Sequence, residues 1–122
     1  MAHVLLVDDD KTTAALYRAA LSKAGHTVTT AKNGTLGIAE AKKHRPGLIV
    51  MDLGMPEPNG FETMRLLKQD PDTKAIPVLA LSGAKTAEDK DEAYEAGCAA
   101  YEVKPIAMKR LLDRVTELAL RT

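Results

Sequence analysis

Residues 48–56, with the sequence LIVMDLGMP, place four apolar residues directly before a carboxylate, Asp52. Residues 4–10, with the sequence VLLVDDD, repeat this arrangement with three aspartates. Short, continuous apolar runs of this kind are typical of strands that are buried on both faces of a parallel sheet. Several carboxylates at one sheet edge repel one another unless a cation lies among them. The two stretches therefore predict a divalent-metal site at the edge of a parallel sheet.

The composition is that of one globular domain, which we expect to span residues 1–122. Hydrophobic residues make up 45% of the chain, enough to form a core without a disulfide or a structural metal. Lysine plus arginine and aspartate plus glutamate number 17 each, so no basic excess favours binding to nucleic acid. A lone cysteine, Cys98, excludes an internal disulfide and favours a reducing compartment. Since the apolar runs are too short to span a bilayer and no signal-peptide pattern is visible, we expect a cytoplasmic protein without membrane contact.

Strand and helix patterns alternate five times along the chain. The predicted strands are residues 3–7, 26–30, 48–51, 77–81 and 99–103. The predicted helices are residues 11–24, 34–44, 60–69, 86–96 and 107–120. This alternation favours right-handed crossovers and a parallel sheet that is covered by helices on both faces.

The composition of the strands predicts their order in the sheet. The first, third and fourth strands are continuously apolar and should be central, whereas the second has only Val28 among threonines and the fifth carries Glu102. A flavodoxin-like, doubly wound α/β fold with five parallel strands in the order 2-1-3-4-5 and five helices satisfies these constraints. Its topological switch point lies at the carboxyl ends of the first and third strands, where Asp8, Asp9 and Asp52 fall.

Polar groups follow four of the predicted strands: Asp8 and Asp9, Asp52, Ser82, and Lys104. Because the carboxyl ends of parallel strands meet at one edge, these side chains should converge. Carboxylate and carbonyl oxygens suit Mg²⁺, and a lysine and a hydroxyl beside the metal suit the oxygens of a phosphoryl group. The pattern predicts phosphoryl transfer, with Asp52 as the candidate nucleophile that forms an acyl phosphate.

Four motifs together carry a family resemblance over nearly the whole chain. They are VDDD at 7–10, DLGMP at 52–56 with NG at 59–60, ALS at 80–82, and GCAAYEVKP at 97–105. In this order and spacing, the chain resembles the receiver domains of response regulators, the CheY-like family. The stretch 97–106 also resembles, locally, the DivK-like cell-cycle regulators.

The resemblance implies a role for each residue of the metal and phosphate site. Asp52 would be the phosphoacceptor. Asp9 would bind Mg²⁺ directly, together with Asp52 and the backbone carbonyl of Gly54, and Asp8 would act through a metal-bound water.

The resemblance also implies a conformational switch. Ser82 would bond a phosphoryl oxygen, Lys104 would bridge the phosphate and an acidic partner, and Tyr101 would turn inward as Ser82 moves. The bond between Lys104 and Pro105 is expected to be cis. Phosphorylation would change the surface formed by the fourth helix, the fifth strand and the fifth helix.

The resulting functional hypothesis is a stand-alone receiver in a two-component or phosphorelay pathway. It would accept phosphoryl from a histidine kinase or histidine phosphotransfer protein and signal to a downstream protein as a monomer or weak dimer, without direct contact with nucleic acid. It would be a signalling domain that assists its own phosphorylation and dephosphorylation rather than an enzyme. An isolated receiver of a longer DNA-binding regulator or hybrid kinase is the alternative. A Mg²⁺-dependent aspartyl phosphohydrolase of the haloacid-dehalogenase type is disfavoured, because the second acid of such enzymes would stand at Gly54.

Several polar residues are interpreted without a role in the chemistry. Asp10 is expected to cap the first helix. Cys98 is expected to be a small buried residue. Gly54 and Ala84 offer no polar side chain to orient water. The remaining acids of interest are expected to lie on solvated faces: Asp70, Asp72, Glu88, Asp89 and Asp91.

Overall fold

A computed structural model describes residues 2–56, 59–83 and 86–119 of the chain. The strands are β1 (His3–Val7), β2 (Thr27–Ala31), β3 (Leu48–Asp52), β4 (Val78–Ser82) and β5 (Ala100–Val103). The helices are α1 (Lys11–Lys23), α2 (Gly34–His44), α3 (Gly60–Gln69), α4 (Ala87–Ala96) and α5 (Met108–Ala119). The predicted α5 ended at residue 120, which lies outside the described residues. Among the described ranges, no helix has the length and apolar character needed to cross a membrane.

The five strands form one parallel sheet in the order β2-β1-β3-β4-β5, which confirms the predicted topology. Val7 pairs with Met51, so the residues that follow them, Asp8 and Asp52, lie level at the same sheet edge. Ser82 pairs with Val103 at the end of β4 and β5. The register therefore brings the strand ends together on the side that the sequence predicted.

Alternate strand residues face two separate hydrophobic layers. One layer contains Leu5, Val7, Ile49 and Met51, with Met64 and Leu67 of α3. The other contains Val4, Leu6, Leu48 and Val50, with Leu21 of α1 and Leu111 of α5. Since β1 and β3 are buried on both faces, the sheet is a rigid support for the groups at its carboxyl edge.

Three strands end one residue later than predicted, namely β2, β3 and β4, and the last residues of β3 and β4 matter for the site. Asp52 is the last residue of β3 and Ser82 the last of β4, because ladder hydrogen bonds continue past them. The Leu53 amide donates to the Leu81 carbonyl at 2.9 Å, and the Lys104 amide donates to the Ser82 carbonyl at 2.7 Å. Backbone pairing thus fixes the Cα positions from which these polar side chains project.

The helix ends follow the local capping signals. The Asp10 side chain accepts a hydrogen bond from the Thr12 amide at 3.1 Å, which confirms its predicted role at the start of α1. Gly97 ends α4 in the left-handed region with φ 114°. Thr86 was predicted as the first residue of α4 but is its N-cap, since its hydroxyl accepts from the Asp89 amide at 3.1 Å.

Candidate functional site

Three carboxylates meet at the switch point, as predicted. One oxygen from each of Asp8, Asp9 and Asp52 lies within 4.8 Å of the others. Asp8 is only 4% exposed and Asp52 only 8%, whereas Asp9 faces solvent. Two of these charges are therefore held close together with little water to screen their repulsion.

Backbone amides orient the two buried carboxylates. Oδ1 of Asp52 accepts a hydrogen bond from the Gly54 amide at 3.0 Å, and Oδ1 of Asp8 accepts one from the Asp10 amide at 2.9 Å. Both contacts span two residues, so the loops that follow β1 and β3 build them locally. This geometry fixes each carboxylate plane relative to its own strand.

Gly60 permits α3 to begin against the end of β3. A Cβ atom at this position would lie 2.5 Å from the carbonyl oxygen of Asp52 and 2.6 Å from Cα of Leu53. Both are backbone atoms, so a side chain could enter only if the loop moved. Sequence analysis found the Asn59-Gly60 motif by resemblance but missed this steric reason for the glycine.

Lys104 supplies the positive charge of the site. Its Nζ lies 3.1 Å from Oδ2 of Asp8 and 3.5 Å from Oδ1 of Asp52. Burial acts to lower the pKa of Lys104, but the hydrogen bond to Asp8 and the charges of Asp52 and Asp8 outweigh burial and raise it. The bond from Lys104 to Pro105 is cis, as expected.

Asp52 has a raised pKa. Burial is the main cause, and the charge of Asp8 acts in the same direction. The Gly54 amide and the Lys104 ammonium oppose this effect by stabilising the carboxylate. One ammonium therefore does not fully compensate the buried negative charge at this edge of the sheet.

Ser82 and Tyr101 meet at Asp89, an arrangement that sequence analysis missed. The Ser82 hydroxyl donates to Oδ2 of Asp89 at 2.8 Å, and the Tyr101 hydroxyl donates to the same oxygen at 2.7 Å. Asp89 was predicted to lie on a solvated face, and that prediction is wrong because the first turn of α4 turns its side chain toward β4 and β5. Tyr101 is buried, and burial together with the hydrogen bond to Asp89 raises its pKa.

The other acids that were predicted to lie on solvated faces differ in their exposure. Glu88, Asp91 and Asp72 are exposed, as predicted. Asp70 is only partly exposed and pairs with Lys42 at 2.7 Å, because the end of α3 packs against α2. Position 84, whose small side chain was singled out, lies outside the described residues.

Glu102 on β5 forms a second charged cluster next to the site. Its carboxylate accepts hydrogen bonds from Arg110 at 2.7 and 2.8 Å and from Arg114 at 2.7 Å. The Arg110 hydrogen bonds, followed by that from Arg114, lower the pKa of Glu102 although burial opposes them. The edge strand thus carries a buried acid that two α5 cations neutralise.

Comparison with known proteins identifies the class. Residues 4–116 match the response regulator receiver domain, and the chain belongs to this family. It is 37% identical to Protein PilH of Pseudomonas aeruginosa over 115 residues, which cover 94% of this chain and 95% of PilH. It is 32% identical to the polar-differentiation response regulator DivK of Brucella anthropi over 112 residues, 92% of this chain and 91% of DivK.

Solved structures agree with this assignment. The chemotaxis response regulator CheY4 of Vibrio cholerae matches with a TM-score of 0.90 and 32% identity, covering 97% of this chain and 98% of CheY4. The protein is therefore a receiver domain of two-component signalling, a class whose members interact with histidine kinases or phosphotransfer proteins and with downstream targets.

Proposed function

We propose that Asp52 is the phosphoacceptor of this receiver and that Lys104, Ser82 and the neighbouring acids assist the transfer. The observation that carries the proposal is the meeting of three carboxylates within 4.8 Å, with the Lys104 ammonium 3.1 Å from Asp8 and 3.5 Å from Asp52. Asp8 and Asp9 follow β1, Asp52 ends β3 and Lys104 follows β5, so three strand ends supply these groups. A structural ion pair needs one acid for one lysine, whereas this site combines three acids with Lys104.

The donor set fits Mg²⁺. Three carboxylates and one ammonium leave an excess of negative charge, and hard oxygen ligands are those that Mg²⁺ prefers. Asp8, Asp9, Asp52 and the backbone carbonyl of Gly54 would hold the ion. Bound Mg²⁺ would neutralise charge on the oxygens of the transferred phosphoryl group.

The Asp52 carboxylate would attack the phosphorus atom of a phosphohistidine. A bond from the Asp52 oxygen to phosphorus forms as the bond from phosphorus to the imidazole nitrogen breaks, and the imidazole leaves with the electron pair of that bond. The carboxylate must be ionised, and the Gly54 amide and the Lys104 ammonium both favour that form. Lys104 and the Ser82 hydroxyl then bind oxygens of the acyl phosphate.

The signal would leave through the surface of α4, β5 and α5. Ser82 and Tyr101 connect the phosphorylation site to this surface through their contacts with α4. We propose a histidine kinase or histidine phosphotransfer protein as the donor and a protein as the target, in the cytoplasm, without direct contact with nucleic acid. The absence of a net basic charge supports the last point.

Phosphorylation by radiolabelled acetyl phosphate, with and without Mg²⁺, tests the proposal. The wild-type chain should acquire a base-labile label that depends on Mg²⁺, and Asp52→Asn should abolish it. Asp72→Asn is the matched control, because it removes an exposed acid remote from the site and should label like the wild type. Undiminished label on Asp52→Asn would contradict the assignment, and continuous release of phosphate from phosphomonoesters would favour a phosphohydrolase instead.

A further inference from the structure

We propose that Asp89 is a positioning residue that competes with the phosphoryl group on Asp52 for the hydroxyl proton of Ser82. The inference rests on the proposed function of Asp52 and Ser82 and adds a residue of α4 that regulates the same site. It makes the first turn of α4 part of the control of phosphorylation.

The geometry consists of two hydroxyl groups and one carboxylate oxygen. Ser82 Oγ donates to Oδ2 of Asp89 at 2.8 Å, and Tyr101 Oη donates to the same oxygen at 2.7 Å. Ser82 and Tyr101 are buried, and Asp89 is partly buried. A buried hydrogen bond to a carboxylate is stronger than one between neutral groups.

The single proton of the serine hydroxyl creates the competition. A hydroxyl has one proton, so Ser82 can make one strong donor contact at a time. A phosphoryl oxygen on Asp52 accepts that proton only after Asp89 has lost it. Asp89 therefore stabilises the unphosphorylated state by the free energy of its hydrogen bond with Ser82, which is lost when Ser82 turns to the phosphoryl group.

Sharing of one oxygen couples Ser82 to Tyr101. When Ser82 turns toward the phosphoryl group, the Tyr101 hydroxyl still donates to Oδ2 of Asp89 but no longer shares this oxygen with Ser82. The position of Tyr101 is thereby linked to the phosphorylation state through a side chain of α4. This link accounts for the transfer of the signal to the α4 surface.

A comparison of α3 and α4 shows that the side chain of Asp89 contacts Ser82 and Tyr101 at a helix position where, in α3, the carboxylate completes a capping box. Both helices begin with a capping residue whose side chain accepts from the amide three residues later: Asn59 with Glu62, and Thr86 with Asp89. In α3 the Glu62 carboxylate reaches back and accepts from the Asn59 amide at 3.2 Å, which completes a capping box. In α4 the corresponding carboxylate, that of Asp89, accepts from Ser82 and Tyr101.

Titration with Mg²⁺ and beryllofluoride, a stable mimic of a phosphoryl group on a carboxylate, tests the proposal. Asp89→Ala should bind beryllofluoride about tenfold more tightly than the wild type, the effect of removing one hydrogen bond to a charged acceptor. Asp89→Asn retains an amide oxygen that accepts more weakly, so its affinity should rise by only about threefold. The ring resonances of Tyr101 in NMR spectra, assigned with Tyr101→Phe, should shift in Asp89→Ala before any ligand is added.

The Ser82→Ala background separates the proposed mechanism from a simple effect of charge. If Asp89 acts through the Ser82 proton, Asp89→Ala should change the affinity of Ser82→Ala by less than about twofold. Asp91→Ala removes an exposed acid from the same helix and should also leave the affinity nearly unchanged. A tenfold effect that persists without Ser82, or an equal effect of Asp91→Ala, would overturn the role of Asp89.

The controls also distinguish this proposal from the proposed function. Binding of beryllofluoride to Asp52→Asn with wild-type affinity would refute Asp52 as the phosphoacceptor, whatever the behaviour of Asp89. Wild-type binding that is lost in Asp52→Asn but unchanged in Asp89→Ala would preserve the first assignment and refute the second. Far-UV circular dichroism of each variant shows whether α4 is intact.

Discussion

Replacement of Asp52, the proposed phosphoacceptor, should stabilise the protein when Mg²⁺ is absent. At an effective dielectric constant of about 20, Asp8 and Asp52, with oxygens at most 4.8 Å apart, repel by at least about 3.5 kcal/mol, whereas Lys104 attracts Asp52 at 3.5 Å by about 4.7 kcal/mol. The net attraction, at most about 1 kcal/mol, is smaller than the several kcal/mol of hydration that a buried carboxylate loses. We therefore expect Asp52→Asn to raise the free energy of unfolding by about 2 kcal/mol at neutral pH.

The pH dependence has a defined sign. Because the folded pKa of Asp52 lies above its ordinary value of 3.8, ionisation disfavours the folded state. Below pH 3.8 the carboxyl is neutral in both states, so wild type and Asp52→Asn should approach the same stability. The difference should open as the pH rises above 3.8 and reach its full size above the folded pKa.

Urea unfolding followed by far-UV circular dichroism, with EDTA or with Mg²⁺, measures this effect. At a Mg²⁺ concentration of 100 times its Kd the wild type gains about 2.7 kcal/mol, so the stability order should reverse. Asp91→Asn, which removes an exposed charge, should be close to the wild type in both buffers. A wild type that equals or exceeds Asp52→Asn in EDTA would show that the acids are not under net electrostatic repulsion, and the reasoning would fail.

Three other substitutions or treatments test the surroundings of the site. Gly60→Ala should lower the free energy of unfolding in urea by about 2–4 kcal/mol, because the added methyl group would lie 2.5 Å from the Asp52 carbonyl oxygen. Gly83→Ala is the control: a Cβ at this position would have no atom within 4 Å, so the free energy of unfolding should change by less than about 0.5 kcal/mol. Glu102→Gln should lower the free energy of unfolding by about 1 kcal/mol at neutral pH. Because the pKa of Glu102 in the folded protein is lowered from 4.5, this loss of stability should be present above pH 4.5 and vanish as the pH falls through the folded pKa; a pH-independent loss would contradict the ion-pair explanation. Cys98 is 7% exposed and burial raises its pKa to about 11, so iodoacetamide at pH 8 should modify the folded protein at least about a hundredfold more slowly than the protein unfolded in urea. Equal rates would show that the thiol is accessible in the folded protein.

The grouping of residues at the proposed metal and phosphate site was predictable because these residues end strands or directly follow them. Apolar runs mark the buried strands, and parallel pairing brings the residues after them to one edge whatever the details of helix packing. The prediction that Asp8, Asp9 and Asp52 converge is confirmed on this basis. The pairing of Lys104 with the acids follows from the same rule.

The hydrogen bonds from Ser82 and Tyr101 to Asp89 of α4 were not predictable in the same way. The helix carries acids at positions 88, 89, 91, 92 and 95, so charge alone does not select the one that turns inward. The rotation of α4 about its axis, set by the buried Ala93 and Ala96, decides that Asp89 faces Ser82 and Tyr101. The same applies to Glu102, whose partners Arg110 and Arg114 become known only once α5 is placed.

The sequence by itself determined the strand order, the edge at which the polar groups gather and the family to which the chain belongs, because buried-strand composition and parallel crossovers leave few alternative topologies. Tertiary structure alone decided which α4 acid contacts Ser82 and Tyr101, which cations neutralise Glu102 and why position 60 excludes a side chain. These features depend on helix rotation and on close approach between segments distant in sequence. Local patterns of hydrophobicity carry no information about either.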